Sequence, residues 1–196
     1  MTLLALLRHG RTAWNAAGRL QGRRDITLSP EGRADLTGRH LPAALADARW
    51  HVSPLRRARE TAVLLGGDAE AIEPALIEMD FGEFEGRRLA DLRAELGADL
   101  AQNEARGLDF LPPGGESPRM VQARLQPWLA AIAAEGGKHI AVSHKAAIRS
   151  VLSLAYDWPM LDKPPVKLDW TCLHLFTLDA DGRPRPRQMN LPLERA

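Results

Sequence analysis

The sequence predicts a three-layer α/β sandwich built around a mainly parallel sheet. Three observations support that class. Short apolar runs alternate with longer segments of helical periodicity. The first run, Leu3 to Leu7, is apolar throughout, as expected of a strand covered on both faces. The dipeptide Ser-Pro precedes a helical pattern at Ser29-Pro30, Ser53-Pro54 and Ser117-Pro118. Each pairs an N-cap side chain with a ring that presets the first helical φ.

After the Leu3–Leu7 strand, Ser29-Pro30-Glu31 opens the first clear helix. Trp50-His51-Val52 is a short strand leading into Ser53-Pro54, and Leu55, Ala58, Ala62 and Leu65 then recur at helical spacing until Gly66-Gly67. From about Ile72 to Gly115 no period is sustained, and the stretch reads as irregular material over one end of the sheet, with 79–115 a candidate lid. Ser117-Pro118 starts a helix whose buried stripe is Val121, Leu125, Trp128 and Ile132, with a kink expected at Pro127. Gly136-Gly137 ends it, His139 to Ser143 is a strand, and Ile148, Val151, Leu152 and Ala155 mark the next helix. Leu168 to Leu178 is a long strand candidate, and the proline-rich tail after Arg183 is confined to an edge or a loop. No repeat, low-complexity tract or linker breaks the 196 residues, a length suited to one domain spanning 1–196.

Composition removes several functional classes. A formal net charge of +1, with both signs interspersed, gives no electrostatic case for a nucleic-acid or membrane-surface partner. The single cysteine, Cys172, excludes an internal disulfide and, in an apolar run, reads as a small core residue. Met1 to Leu7 is too short for a signal peptide, and no window approaches the roughly 18–20 apolar residues of a membrane span. A cytoplasmic location is expected.

In open α/β sheets ligands bind beyond the carboxyl ends of the strands. Three such ends carry Arg8-His9-Gly10-Arg11, Ser53 with Arg56 and Arg57, and Ser143-His144-Lys145. Two histidines and several arginines therefore converge on one crevice, which is the composition of an anion site. Arginine meets phosphate oxygens bidentately, and a neutral imidazole among such donors can attack phosphorus. The departing alkoxide then needs a proton from a carboxylic acid of raised pKa. A metal on His9 and His144 is not expected, because the flanking arginines repel a cation and no carboxylate has ligand spacing. His40, His51, His139 and His174 fit no such cluster and read as structural or surface residues.

These blocks resemble the histidine phosphatase superfamily, the phosphoglycerate-mutase-like proteins, in its small broad-specificity or α-ribazole-phosphatase-like branch. The likeness runs through Leu7-Arg8-His9-Gly10-Arg11-Thr12, Trp14-Asn15, Gln21-Gly22, Asp25, Leu28 and Gly32. It continues in Ser53-Pro54-Leu55-Arg56-Arg57-Ala58, Thr61-Ala62, Leu76-Ile77-Glu78, Phe81-Gly82, Glu85-Gly86, Gly115-Glu116-Ser117 and Val142-Ser143-His144 with Arg149. One departure is Lys145, where the family often has glycine.

The resemblance implies a sheet of about six strands with an antiparallel edge strand. It implies that His9 is phosphorylated, that Arg8, Arg57 and His144 complete the phosphate pocket, and that Glu78 is the proton donor. Arg11 and Asn15 would add substrate contacts, Gln21 and Gly22 would line the entrance, and Lys145 would face either solvent or a second anionic group on the substrate. Phe81, Phe84, Phe110 and Leu111 are either an apolar lid or plain packing. The implied activity is a cofactor-free, metal-independent phosphatase acting on a small phosphate ester, with a homodimer admissible. The chain's shortness favours hydrolysis over mutase chemistry, because mutases of the family usually carry longer insertions after the acid block. A phosphoglycerate-mutase-type phosphotransferase and a non-catalytic phospho-ligand binder are the rivals.

Overall fold

β1 (Thr2–Arg8) lies at the centre of a five-stranded sheet in the computed structural model, which describes residues 1–195. Its neighbours are β4 (Gly137–Ser143) on one side, parallel, and β5 (Leu173–Leu178) on the other, antiparallel. β3 (Arg49–Val52) extends the sheet beyond β4 in parallel, and β6 (Pro184–Leu191) pairs antiparallel with β5 to close the far edge. A separate two-stranded ladder joins β2 (Arg39–His40) to β7 (Glu194–Arg195).

The side chains of β1 explain why the run is continuously apolar. Leu4 and Leu6 enter a core with α5 (Pro118–Glu135) and α6 (Lys145–Tyr156). Ala5 and Leu7 enter a second core with Leu28, with Leu36 of α2 (Pro30–Leu36), and with Leu65 at the end of α3 (Arg56–Leu64). Alternate residues thus leave water on opposite faces, and neither face tolerates a polar group. The remaining helices are the short α1 (Ala13–Ala16) and α4 (Leu89–Glu104).

Several expectations need correction. The main sheet has five strands rather than about six, and its reversed strand, β5, is internal rather than at the edge. The Leu168–Leu178 strand begins only at Leu173, because the Asp169 carboxylate accepts hydrogen bonds from the Thr171 N–H and hydroxyl and turns the chain. Ser53-Pro54 does not cap a helix. α3 starts at Arg56 behind Leu55, which provides no side-chain cap, and the Ser53 hydroxyl is engaged with His144 instead. The 72–115 stretch is less irregular than expected, since it holds the 16 residues of α4, interrupted by Gly97 at φ 49°. The other two Ser-Pro starts stand: Ser29 accepts from the Gly32 N–H and Ser117 from the Met120 N–H. α5 runs unbroken through Pro127, which faces solvent.

α2 fixes the loop that follows β1. The Ser29 N–H donates to the Arg11 carbonyl at 2.9 Å, and a Cβ on Gly32 would lie 2.1 Å from that same oxygen. Both groups are backbone, so no rotamer change relieves the clash. Gly32→Ala is expected to lower stability by about 1–3 kcal/mol, measured as a fall in the denaturant midpoint with unchanged slope.

Candidate active site

Parallel pairing brings the carboxyl ends of three strands level. Arg8 is opposite Ser143, and Val52 is opposite Val142, so the next residues, His9, Ser53 and His144, cluster above the sheet. Beside them opens a cavity of about 560 Å³. Arg8, His9, Asn15, Gln21, Gly22, Arg57, Glu78 and Lys145 line it. Two expected residues are not on its wall. His144 is fully buried just behind, its ring centroid 5.1 Å from that of His9. Arg11 lies apart from the cavity, largely in solvent, with Nε bonded to Asp35 at 2.7 Å, and the expectation of a substrate contact there is corrected.

His9 is buried, and its Nδ1 sits 2.7 Å from the Gly10 carbonyl. A carbonyl only accepts, so Nδ1 carries the proton and Nε2 keeps its lone pair. Burial, then the positive charges of Arg8 and Arg57, hold the imidazole well below its ordinary pKa of 6.5. It is neutral at pH 7. His144 is depressed in the same way, first by burial and then by Arg57. Its Nε2 pairs with the Ser53 hydroxyl at 2.6 Å, while its Nδ1 is buried without a partner among the described residues.

Arg57 is the largest side chain with no exposed surface. Its two terminal nitrogens donate to the carbonyls of Gly22, at 2.8 Å, and Arg24, at 2.7 Å, which leaves Nε buried and without a partner among the described residues. Burial lowers its pKa to about 10, still cationic at neutral pH. Gly22 has to be glycine for this contact. Its φ is +52°, and a Cβ would stand 1.8 Å from the Glu85 carboxylate. Arg8 is half-buried, its Nε also without a partner among the described residues and its guanidinium 5.8 Å from the Trp170 ring centre. Unsatisfied cationic donors of this kind are costly unless an anion meets them.

Loop hydrogen bonds place the remaining groups. Thr12 caps α1, its N–H donating to Asn15 Oδ1 at 3.0 Å and its hydroxyl to Gln21 Oε1 at 3.0 Å. Thr61 of α3 accepts from the Gly10 N–H at 2.9 Å and donates to the Arg57 carbonyl at 2.7 Å, so the two arginine-bearing segments are tied through one hydroxyl.

Glu78 caps α6. Its carboxyl accepts from the backbone N–H groups of Ala146 at 3.1 Å and Ala147 at 3.2 Å, and from Met79 at 2.9 Å. The first free N–H groups of α6 are therefore taken by this side chain. Burial raises the Glu78 pKa and outweighs the downward pull of those donors and of Arg57. Glu83 is exposed, and Glu85 is bound to the Arg23 N–H and the Arg24 side chain; neither lines the cavity. Sequence reasoning missed Arg124, whose guanidinium holds the carbonyls of Ala75 and Ile77 and pairs with Glu116, fixing the segment that presents Glu78. The only available signal was Glu116 itself, within the Gly115-Glu116-Ser117 block.

Phe81, Phe84 and Phe110 also line the cavity, whereas Leu111 is exposed outside it. Away from the cavity, His51 Nε2 lies 3.0 Å from His139 Nδ1, and burial holds both His51 and His174 near pKa 4.

Buried imidazoles make an acid-stability prediction. The unfolded chain takes up protons on His9, His51, His144 and His174 as pH falls through about 6.5, whereas burial in the folded chain holds all four below that value, His51 and His174 down to about 4. Stability is thus complete above about 6.5 and is lost as pH falls. His51 and His174 alone cost about 2 kcal/mol each by pH 5. Glu78 works in the opposite sense, its share being lost as pH rises through its raised pKa. The thermal midpoint is expected to drop on the order of 10 °C between pH 7 and pH 5; a flat profile contradicts neutral burial.

Over residues 4–191 the chain matches the profile of the histidine phosphatase superfamily, branch 1. It is 34% identical over 193 residues to 2,3-bisphosphoglycerate-dependent phosphoglycerate mutase 2 of Gloeobacter violaceus, covering 93% of this chain and 88% of that protein. It is 36% identical over 141 residues to glucosyl-3-phosphoglycerate phosphatase of Mycobacterium tuberculosis, covering 67% of this chain and 60% of the relative. Among solved structures, mycobacterial glucosyl-3-phosphoglycerate phosphatase with VO3 superimposes with a TM-score of 0.75 at 27% identity, over 98% of this chain and 97% of the other. A Thermus thermophilus protein gives 0.72 at 31% identity, over 97% and 99%. Profile, relatives and superpositions agree along nearly the whole length, and the chain belongs to the histidine phosphatase superfamily, branch 1.

Proposed function

We propose that this protein is a metal-independent phosphatase that hydrolyses phosphate monoesters through a phosphohistidine on His9. The observation that carries the reading is a buried, neutral imidazole with its Nδ1 proton fixed on Gly10, set between Arg8 and Arg57 and sharing a cavity with a carboxyl of raised pKa. In the first step His9 Nε2 attacks phosphorus, the ester P–O bond breaks, and Glu78 gives its proton to the departing alkoxide. In the second, the Glu78 carboxylate takes a proton from water as the water oxygen attacks phosphorus, and the P–N bond breaks to free His9. Arg8, Arg57 and the Nδ1 of His144, which has no partner among the described residues while Nε2 accepts from the Ser53 hydroxyl, supply donors to the equatorial oxygens, where charge concentrates in both steps.

The naming of a Mycobacterium tuberculosis relative as a glucosyl-3-phosphoglycerate phosphatase supports hydrolysis. Rapid mixing with a ³²P-labelled ester, quenched in alkali, is expected to trap one label per chain on His9, labile to acid. Label on another residue, or none during turnover, sinks the mechanism.

A second reading, phosphoglycerate-mutase-type phosphotransfer, is supported by the 88% coverage of the Gloeobacter mutase. Incubation with 3-phosphoglycerate and a 2,3-bisphosphoglycerate primer separates the two. Release of inorganic phosphate is the expected result; isomerisation without release favours the mutase.

A further inference from the structure

We propose that Lys145 and Arg149 form a second anion subsite, which selects phosphate monoesters whose alcohol portion bears another oxyanion, either a carboxylate or a second phosphoryl group. The inference rests on the phosphatase reading of the same cavity and names its substrate class.

Both residues line the cavity that holds His9, and their spacing of four on α6 puts them one turn apart on a single helical face. Neither makes an ion pair or donates a hydrogen bond to any described residue. Arg23, Arg24, Arg93, Arg119 and Arg183, by contrast, each reach a carboxylate. Instead the two cations rest on indole faces. Lys145 Nζ lies 5.6 Å from the ring centre of Trp170, and Arg149 Cζ lies 5.0 Å from that of Trp158. A cation–π contact steadies a charged side chain while leaving its N–H donors free. A carboxylate partner would have consumed them.

The placement is otherwise unfavourable. Lys145 occupies the first turn of α6, where the helix dipole disfavours a cation. Although Lys145 is exposed overall, partial desolvation of its ammonium, followed by repulsion from Arg8 and Arg149, lowers its pKa. Arg149 is half-buried, and desolvation lowers its pKa too. Glu78 already takes the N–H groups at this helix end, and Arg8 and Arg57 with His144 already supply the donors for one phosphoryl group. Lys145 and Arg149 are therefore surplus to a single phosphate, and a second anion on the substrate relieves their mutual repulsion. Phe81 and Phe110 line the same cavity and offer an apolar face to the carbon skeleton between the two anions.

The test compares matched esters by kcat/KM: 3-phosphoglycerate against glycerol 3-phosphate for a carboxylate, and fructose 1,6-bisphosphate against fructose 6-phosphate for a phosphoryl group. The protein is expected to favour the doubly anionic member at least tenfold in one pair, and the pair identifies the anion. Lys145→Met and Arg149→Gln are each expected to cut that preference at least fivefold, with Lys145→Arg retaining it. Equal rates within both pairs, or a preference that survives both neutral substitutions, overturns the subsite. If no ester is hydrolysed, the phosphatase reading has failed separately. Calorimetric binding of the same four compounds then decides the subsite: tighter binding of a doubly anionic member upholds it, and equal affinities overturn it.

Discussion

Replacing His9 by alanine is expected to lower kcat on every phosphate monoester by at least about 10⁴-fold, because losing a nucleophile removes the whole covalent route rather than one stabilising contact. Neighbouring groups are poorly placed to substitute. The Nε2 of His144 is committed to Ser53, and its ring lies behind the cavity wall. Arg8 and Arg57 remain, so affinity for vanadate or inorganic phosphate is expected to persist in the variant. A loss of both activity and oxyanion binding indicates a collapsed site instead. The variant also has one fewer imidazole to protonate in acid, so its thermal midpoint is expected to fall less between pH 7 and pH 5 than that of the unaltered protein. Steady-state kinetics on an alkyl and an aryl phosphate provide the check, and activity within tenfold of normal on either refutes His9 as the phosphoryl acceptor.

The parts of the fold legible in the sequence are those in which one local rule acts without competition. Leu3 to Leu7 could only be a strand buried on both faces, and Ser29-Pro30 and Ser117-Pro118 cap helices because nothing else claims their hydroxyls. Ser53-Pro54 has the same local signature and fails, because a partner 91 positions away, His144, takes the serine oxygen at 2.6 Å. The reversal at β5 was equally hidden, since strand direction is set by tertiary pairing and leaves no mark on periodicity. α4 is a different kind of miss. Leu89, Leu92, Leu96 and Leu100 do recur at helical spacing, but Gly97 breaks the run, and the stretch read as irregular.

The cavity was more legible than the fold around it. Cations that converge on an anion must leave their strands at the same end, and strand ends with Arg-His or Ser-His pairs announce themselves in the chain. Arg11 shows the limit of that logic. It sits two residues from His9 in the right loop, yet the Asp35 carboxylate of α2 draws it away. Nor could the sequence indicate that Trp158 and Trp170 would hold Arg149 and Lys145 over their ring faces, because those contacts join α6 to loops beyond it.

Glu78 carries the sharpest remaining consequence, since its role depends on which leaving group departs. Glu78→Gln keeps the shape and an amide oxygen able to accept from the α6 N–H groups, but it removes the transferable proton. The loss of kcat/KM is expected to be about 10²–10⁴-fold on alkyl phosphates and under about tenfold on p-nitrophenyl phosphate, whose phenolate leaves unaided. Dephosphorylation still needs the carboxylate as base, so the variant is expected to release one equivalent of nitrophenol in a burst and then stall as phosphohistidine. Because burial raises the Glu78 pKa, alkyl-ester turnover is expected to fall as pH rises through that raised value, and this limb is expected to vanish in the variant. Equal losses on both ester classes, or an alkaline limb that survives the substitution, assign the proton to another group and leave Glu78 as a helix cap alone.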